Sequence, residues 1–205
     1  RFLNSEDISL FSPHDVPGLY DAYGTPEFDA MYEKYERAYS VPKKVVSARE
    51  LFINILKERA ETGRIYLMNI DHCNSHSSFL DRIYMSNLCQ EITLPTKPIQ
   101  HIDDDEGEIA LCILSAVNVG SLKNTDELEE LCELAVRSLD EIIDYQKYPV
   151  LAAEKSTRAR RSLGVGYIGL AHYLARHKVK YNDPKAYEIV DELSESFQYF
   201  LLKAS

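Results

Sequence analysis

The sequence is poor in cysteine: Cys73, Cys89, Cys112 and Cys132 are the only four in 205 residues. They are too few and too widely spaced for the disulfide framework of a small secreted domain, so each thiol must be read as core, metal ligand or chemistry. Positive charge is also short, with 23 Lys and Arg against 33 Asp and Glu and a formal net charge of −10. That balance excludes the basic footprint of a duplex DNA or RNA binder but still allows a small phosphorylated ligand to be held locally. No apolar run reaches the roughly 18 residues of a membrane span, and no basic patch leads into an apolar stretch as in a signal peptide. Cytoplasm is the default expectation.

What is present is apolar material, 45% of the chain, enough for one sizeable core. The sequence opens on Arg1 and ends inside a helical pattern at Ser205. Residues 1–205 are therefore expected to be a single partial domain, truncated at both ends.

The first third reads as helical. Ser12-Pro13 and Thr25-Pro26 each place an N-cap residue before a proline suited to the first helical position. Phe28, Met31, Tyr32, Tyr35 and Tyr39 then recur at helical spacing and are read as packing surface. Ser47-Ala48-Arg49-Glu50 has the form of a capping box before an apolar face of Leu51, Phe52, Ile55 and Leu56, with a stop at Gly63. Arg64 to Ile70 reads as a strand, residues 71–86 as polar and irregular, and the stretch around Cys89 as extended up to Pro95 and Pro98.

Ile109 to Val119 is a nearly continuous apolar run, the pattern of a parallel strand buried on both faces. Asn124 to Asp144 forms an amphipathic helix with Leu128, Leu131, Cys132, Ala135, Leu139 and Ile142 on one side. A basic helical stretch through Arg161, an apolar run from Leu163 to Leu170 and a helix capped at Asp183-Pro184 follow. Helices alternating with buried strands predict an α/β architecture.

Chemistry concentrates at Asn87-Leu88-Cys89-Gln90-Glu91. In an extended chain, residues at i, i+2 and i+4 share a face, so one segment would present an amide, a thiol and a carboxylate to one ligand. The carboxylate can serve as general base on a substrate hydroxyl and the amide can orient it. The thiol can act as nucleophile or as hydrogen-atom carrier, and spacing alone does not choose. A second cysteine follows in Ala110-Leu111-Cys112-Ile113-Leu114-Ser115, within the apolar run.

Together these motifs resemble the large catalytic subunit of class I, aerobic ribonucleotide reductases of bacterial or bacteriophage type. Leu10-Phe11-Ser12-Pro13-His14-Asp15-Val16-Pro17, Thr62-Gly63-Arg64-Ile65-Tyr66, Asp71-His72-Cys73-Asn74 and Arg160-Arg161-Ser162-Leu163-Gly164-Val165-Gly166 agree with it in the same order. The resemblance implies part of a ten-stranded α/β barrel with the pentapeptide at the tip of an inserted finger loop. It implies that Cys89 becomes a transient thiyl radical that removes the 3′ hydrogen of a ribonucleoside diphosphate. Glu91 would take the 3′-hydroxyl proton, Asn87 would hydrogen-bond in the same cluster, and residues Asn87, Leu88, Cys89, Gln90 and Glu91 would line the substrate. Cys112 would be one of two thiols supplying reducing equivalents.

The partners implied are a small subunit carrying a diiron-tyrosyl radical, thioredoxin or glutaredoxin as reductant, and the remainder of the large subunit. This chain itself is expected to bind no metal. The second redox cysteine, the radical-relaying tyrosine pair, the C-terminal cysteine pair, the diphosphate-binding loop and the sites for nucleotide effectors have no counterpart in these residues. They are expected outside the chain, which alone would be inactive.

Other readings compete. A cobalamin-dependent reductase of the same superfamily shares the finger motif. Gly164-Val165-Gly166-Tyr167-Ile168-Gly169 satisfies the dinucleotide-binding fingerprint, but a basic stretch precedes it where a buried strand is required, and close packing is the simpler role. His72, Cys73 and His76 could hold zinc in a structural module, or sit in a polar loop. His76 could act as base to Cys89 in a hydrolase or transferase. Cys132 belongs to a helical stripe and reads as core, and Asp103-Asp104-Asp105-Glu106 as a solvated turn.

Overall fold

The computed structural model describes residues 1–205. It divides into two compact units, Arg1–Thr96 and Lys97–Ser205. Each has its own two-stranded sheet, and the strands close no barrel within these residues. The α/β character is as expected.

In the first unit, β1 (Asp7–Leu10) pairs antiparallel with β2 (Lys44–Ser47), in the register Asp7↔Ser47 to Leu10↔Lys44. Between them lies α1 (Glu27–Arg37). The first third is thus not wholly helical. Ser12-Pro13 opens only a three-residue 3-10 turn, and the Thr25 hydroxyl donates back to the Ala22 carbonyl rather than capping α1. The aromatic stripe on α1 does pack: the Tyr32 hydroxyl accepts from the Ser9 amide at 2.7 Å, and Phe28 stacks on Tyr32. Tyr39 stands free in solvent beyond the helix end.

Helix α2 (Ala48–Thr62) starts and stops where its caps dictate. Ser47 Oγ accepts from the Glu50 amide at 3.3 Å, and Gly63 takes the left-handed conformation at φ 65°. Its expected apolar face is only half covered, with Leu51 and Ile55 partly buried and Phe52 and Leu56 exposed. The strand expected at Arg64–Ile70 does not form. A strand exists only when a neighbour completes its hydrogen-bond ladder, and no segment of this chain pairs with it. Ile70 instead begins a short helix, α3 (Ile70–Ser75), inside the stretch expected to be irregular.

The second unit is built around β3 (Ile113–Asn118) and β4 (Leu163–Ile168), parallel in the register Ile113↔Leu163 to Asn118↔Ile168. Parallel pairing was expected; burial on both faces was not found. Exposure alternates along β3, because in this chain only one face of the sheet is covered. The covering helices are α4 (Glu127–Tyr145) and α7 (Pro184–Ala204), with α5 (Leu151–Arg160) and α6 (Leu170–Arg176) completing the unit. Helix α6 has no counterpart in the expectations above.

Val117, Val119, Leu122, Leu128, Cys132, Tyr173, Leu193 and Phe197 form the core between sheet and helices. Each large apolar side chain buried there stabilises the unit by about 2 kcal/mol. The buried side of α4 is Leu128, Cys132, Leu139 and Ile143, so the stripe ends on Ile143 rather than Ile142. Asp183 caps α7 by accepting from the Lys185 amide at 2.9 Å, with Pro184 at the first helical position. No helix is long and apolar enough to cross a membrane.

Candidate active site

The pentapeptide Asn87–Glu91 is a tight turn and not an extended segment. The Gln90 amide donates to the Asn87 carbonyl at 3.1 Å, and Gln90 adopts the left-handed conformation at φ 61°. The Asn87 side chain closes the loop: its Oδ1 accepts from the Ile92 amide at 3.0 Å. Ser86 Oγ donates across the same neck to the Ile92 carbonyl at 2.6 Å. Short polar side chains that bond nearby backbone compete with extended structure in this way. Strand alternation therefore does not align Asn87, Cys89 and Glu91; they lie along a side-chain-clasped turn.

The clasp leaves the turn's reactive groups outward. Asn87, Leu88, Cys89 and Glu91 are exposed and Gln90 is half-buried, with Leu88 retaining 90% of its accessible surface. These residues thus form no closed, water-shielded site around Cys89. The neck is anchored more firmly: Ile83 is buried, its amide donates to Asn74 Oδ1 at 2.8 Å, and the Asn74 amide group donates back to the Ile83 carbonyl at 2.9 Å. The sequence marks Asn74 only as the last residue of the family-like stretch Asp71-His72-Cys73-Asn74, and it gives Ser86 no role. Only Ser86, one residue before the motif, carries a local signal, as a hydroxyl able to bond backbone beside an asparagine.

Cys112 lies one residue before β3, half-buried, rather than inside the strand. Close packing accounts for two glycines of the 164–169 run, Gly164 and Gly169. A Cβ on Gly164 would lie 2.4 Å from Leu114 Cδ2 and 3.0 Å from Cys112 Sγ, and one on Gly169 would lie 2.5 Å from Asn118 Oδ1. Gly164 and Gly166 lie within β4 and helix α5 precedes them, so the dinucleotide-binding context is absent.

The approach to Cys112 is braced by charge. Glu108 pairs with Lys97 at 2.8 Å and with Arg160 at 2.5 Å, and Lys97 and Glu108 also form an antiparallel backbone bridge. Burial pushes the Glu108 carboxyl up, but hydrogen bonds from Lys97 and Arg160 outweigh it and hold the group below its ordinary value. Asp104 organises the acidic turn, accepting from the amides of Gln100, Glu106 and Gly107, which lower its carboxyl. Cys132 is fully buried in the core and burial pushes its thiol up, as suits an inert packing residue.

His72, Cys73 and His76 do not converge as metal ligands. The two rings are 6.4 Å apart edge to face, and His76 Nδ1 is engaged with the His72 carbonyl at 3.1 Å and the Ser75 hydroxyl at 2.9 Å. No group of three or more His, Cys, Asp or Glu side chains is arranged to hold a metal ion. The same contacts tie His76 to its own helix rather than to Cys89.

Residues 1–205 match the family described as ribonucleotide reductase, barrel domain. The chain belongs to that family. It is 53% identical over 210 residues to the ribonucleoside-diphosphate reductase subunit alpha of Haemophilus influenzae, covering 100% of this chain and 28% of that relative. It is also 53% identical to ribonucleoside-diphosphate reductase 1 subunit alpha of Escherichia coli K12, with the same coverage. To the subunit alpha of Enterobacteria phage T4 it is 41% identical over 213 residues, again over 100% of this chain and 28% of the relative. The chain therefore spans little more than a quarter of the length of these reductase subunits.

Proposed function

We propose that this chain supplies the radical-bearing turn and one reducing thiol of a ribonucleoside-diphosphate reductase large subunit. The observation that carries the reading is the clasped turn itself, which holds Cys89 outward between Asn87 and Glu91 in a chain 53% identical to subunits of that name. Residues 1–205 are one part of a single catalytic domain, and substrate closure over the turn requires the rest of the subunit.

The chemistry follows from the residue types. A radical equivalent delivered from a partner subunit with a diiron-tyrosyl centre leaves Cys89 as a thiyl, which takes the 3′ hydrogen atom of the bound ribonucleoside diphosphate. Glu91 accepts the 3′-hydroxyl proton and the 2′-hydroxyl departs as water, protonated by a thiol. Cys112 and a second cysteine outside this chain lose two electrons and two protons as their disulfide forms. Cys89 then returns the 3′ hydrogen atom. Ribonucleotide and dithiol thus become deoxyribonucleotide, disulfide and water, and a thioredoxin- or glutaredoxin-type dithiol reduces the disulfide. A thiyl radical must be kept from water and oxidants, which explains why an exposed Cys89 is incompatible with activity of this chain alone.

The test uses the complete subunit with its radical-generating partner. Cys89→Ser abolishes reduction and leaves the radical undisturbed by substrate, because a hydroxyl holds its hydrogen too strongly. Cys112→Ser still consumes the radical on adding substrate and releases free base from a stranded intermediate. Glu91→Gln slows or misdirects water loss, since the amide cannot accept the proton. Identical behaviour of the two cysteine variants would refute the assignment.

A further inference from the structure

The sheet face turned away from the core of the second unit carries Leu114 and Ala116 on β3, and Gly164 and Gly166 beside them on β4. Cys112 shares this face, since its sulfur and the Leu114 side chain are the two groups nearest to a Cβ placed on Gly164. A glycine inside a strand weakens it and calls for a reason. At Gly164 the reason is not backbone conformation, because it is not among the positive-φ glycines, which are Gly18, Gly24, Gly63 and Gly169. Space is the reason. Its missing Cβ would sit 3.0 Å from Cys112 Sγ, well inside the roughly 3.5–4.0 Å of an ordinary non-bonded contact. At Gly166, two residues along the same face, an added Cβ would meet nothing within 4 Å.

We infer that Gly164 is a positioning residue for Cys112: by lacking a side chain it reserves the place from which the Cys112 sulfur meets its redox partner. The inference rests on the proposed role of Cys112 as a reductant. A cysteine has one side-chain torsion, so a methyl group at Gly164 crowds the sulfur, which must give by a few tenths of an ångström and turn away from its staggered position. Disulfide formation requires the two sulfurs to close to about 2.05 Å within a narrow range of dihedral angles, so a thiol pushed off its rotamer closes on its partner less readily while remaining chemically intact. Leu114 is the closer obstacle at 2.4 Å, but its side chain is largely exposed and free to swing aside.

The experiment compares Gly164→Ala, Gly166→Ala, the double variant Gly164→Ala/Leu114→Ala and Cys112→Ser in the complete subunit with its radical-generating partner and a ribonucleoside diphosphate. Three quantities are read: deoxynucleotide formed in a single turnover without external reductant, free base released, and the rate at which iodoacetamide alkylates Cys112, followed by peptide mass. Gly164→Ala is expected to lower single-turnover product about 3- to 10-fold, the penalty of a side chain forced from its rotamer. It also releases base as Cys112→Ser does and shifts the alkylation rate of Cys112. Gly166→Ala leaves that alkylation rate unchanged. The double variant removes the obstacle at Leu114 and keeps the one at the sulfur, so it retains the defect, and it carries the test should the single variant fail to fold.

Wild-type alkylation and product in Gly164→Ala, or recovery of both in the double variant, would overturn the inference. A shifted alkylation rate with undiminished product would uphold the positioning role and overturn the reading of Cys112 as a reductant.

Discussion

Cys89 and Cys132 stand at opposite extremes of exposure, and the units that carry them are stabilised differently. Cys132 sits at 0% exposure in the second unit, where both clusters of buried apolar side chains lie. Cys89 is exposed at the tip of a turn in the first unit, held by Asn87, Ser86 and the Ile83–Asn74 exchange. Packing fixes a residue by volume and makes its thiol unreactive; polar clasps fix a backbone and leave the side chains at its tip available. The proposed chemistry falls on the second arrangement, and Cys112, half-buried one residue before β3, lies between the two.

If that contrast is right, truncating the packed core costs far more than truncating the turn. Leu128→Ala, at a site with 0% exposure, is expected to cost about 3 kcal/mol through lost burial and a residual cavity. Leu88→Ala, at 90% exposure, leaves stability within about 0.5 kcal/mol. Hydrogen exchange of the α4 amides in the complete subunit reads the first effect, and comparable losses in both variants would break the comparison.

A charged brace should fall between these extremes. Glu108→Gln removes a carboxylate whose side chain is 17% exposed from between Lys97 and Arg160, and is expected to cost about 2 kcal/mol. Because the folded carboxyl is held below its unfolded value of about 4.3, the contribution is fully present above that pH. It is lost as pH falls through the lower folded value. Local protection around residues 97–108 measured from neutral pH downward should show that loss in the parent and not in Glu108→Gln.

The smallest effect is predicted at the turn itself. Asn87→Ala removes the acceptor for the Ile92 amide, so that amide should exchange faster while global stability is nearly unchanged. Unaltered exchange at Ile92 would mean that Asn87 does not clasp the loop.

How much of this was legible in the sequence depended on the range of the interaction responsible. The Ser47 and Asp183 caps, the Gly63 stop and the Cys132 stripe are set by residues within a turn or two, and they read directly. The α/β class followed from the run at 109–119 and the glycine-containing run after Arg161, which pair as β3 and β4. The strand expected at Arg64–Ile70 lacks a pairing segment in this chain, and Asp7–Leu10 acquires one 34 residues or more away in β2, which periodicity cannot see. At 87–91 the motif was plain and its shape was not. Alternation implied an extended segment, whereas the Asn87 side chain and a left-handed Gln90 fold it into a turn. The closeness of Gly164 to Cys112 joins positions 52 apart in sequence and was invisible before the fold.

The division of labour between Cys89 and Cys112 is tested most directly by substrate carrying deuterium at the 3′ carbon. In the complete subunit with its radical partner, the substrate-dependent loss of the radical signal in Cys112→Ser should be slowed by 3′ deuterium, because the proposed assignment leaves Cys89 to take that atom. In Cys89→Ser the radical should persist regardless of isotope. Radical loss in Cys112→Ser that ignores the isotope, or isotope-sensitive loss in Cys89→Ser, would contradict the assignment of hydrogen abstraction to Cys89.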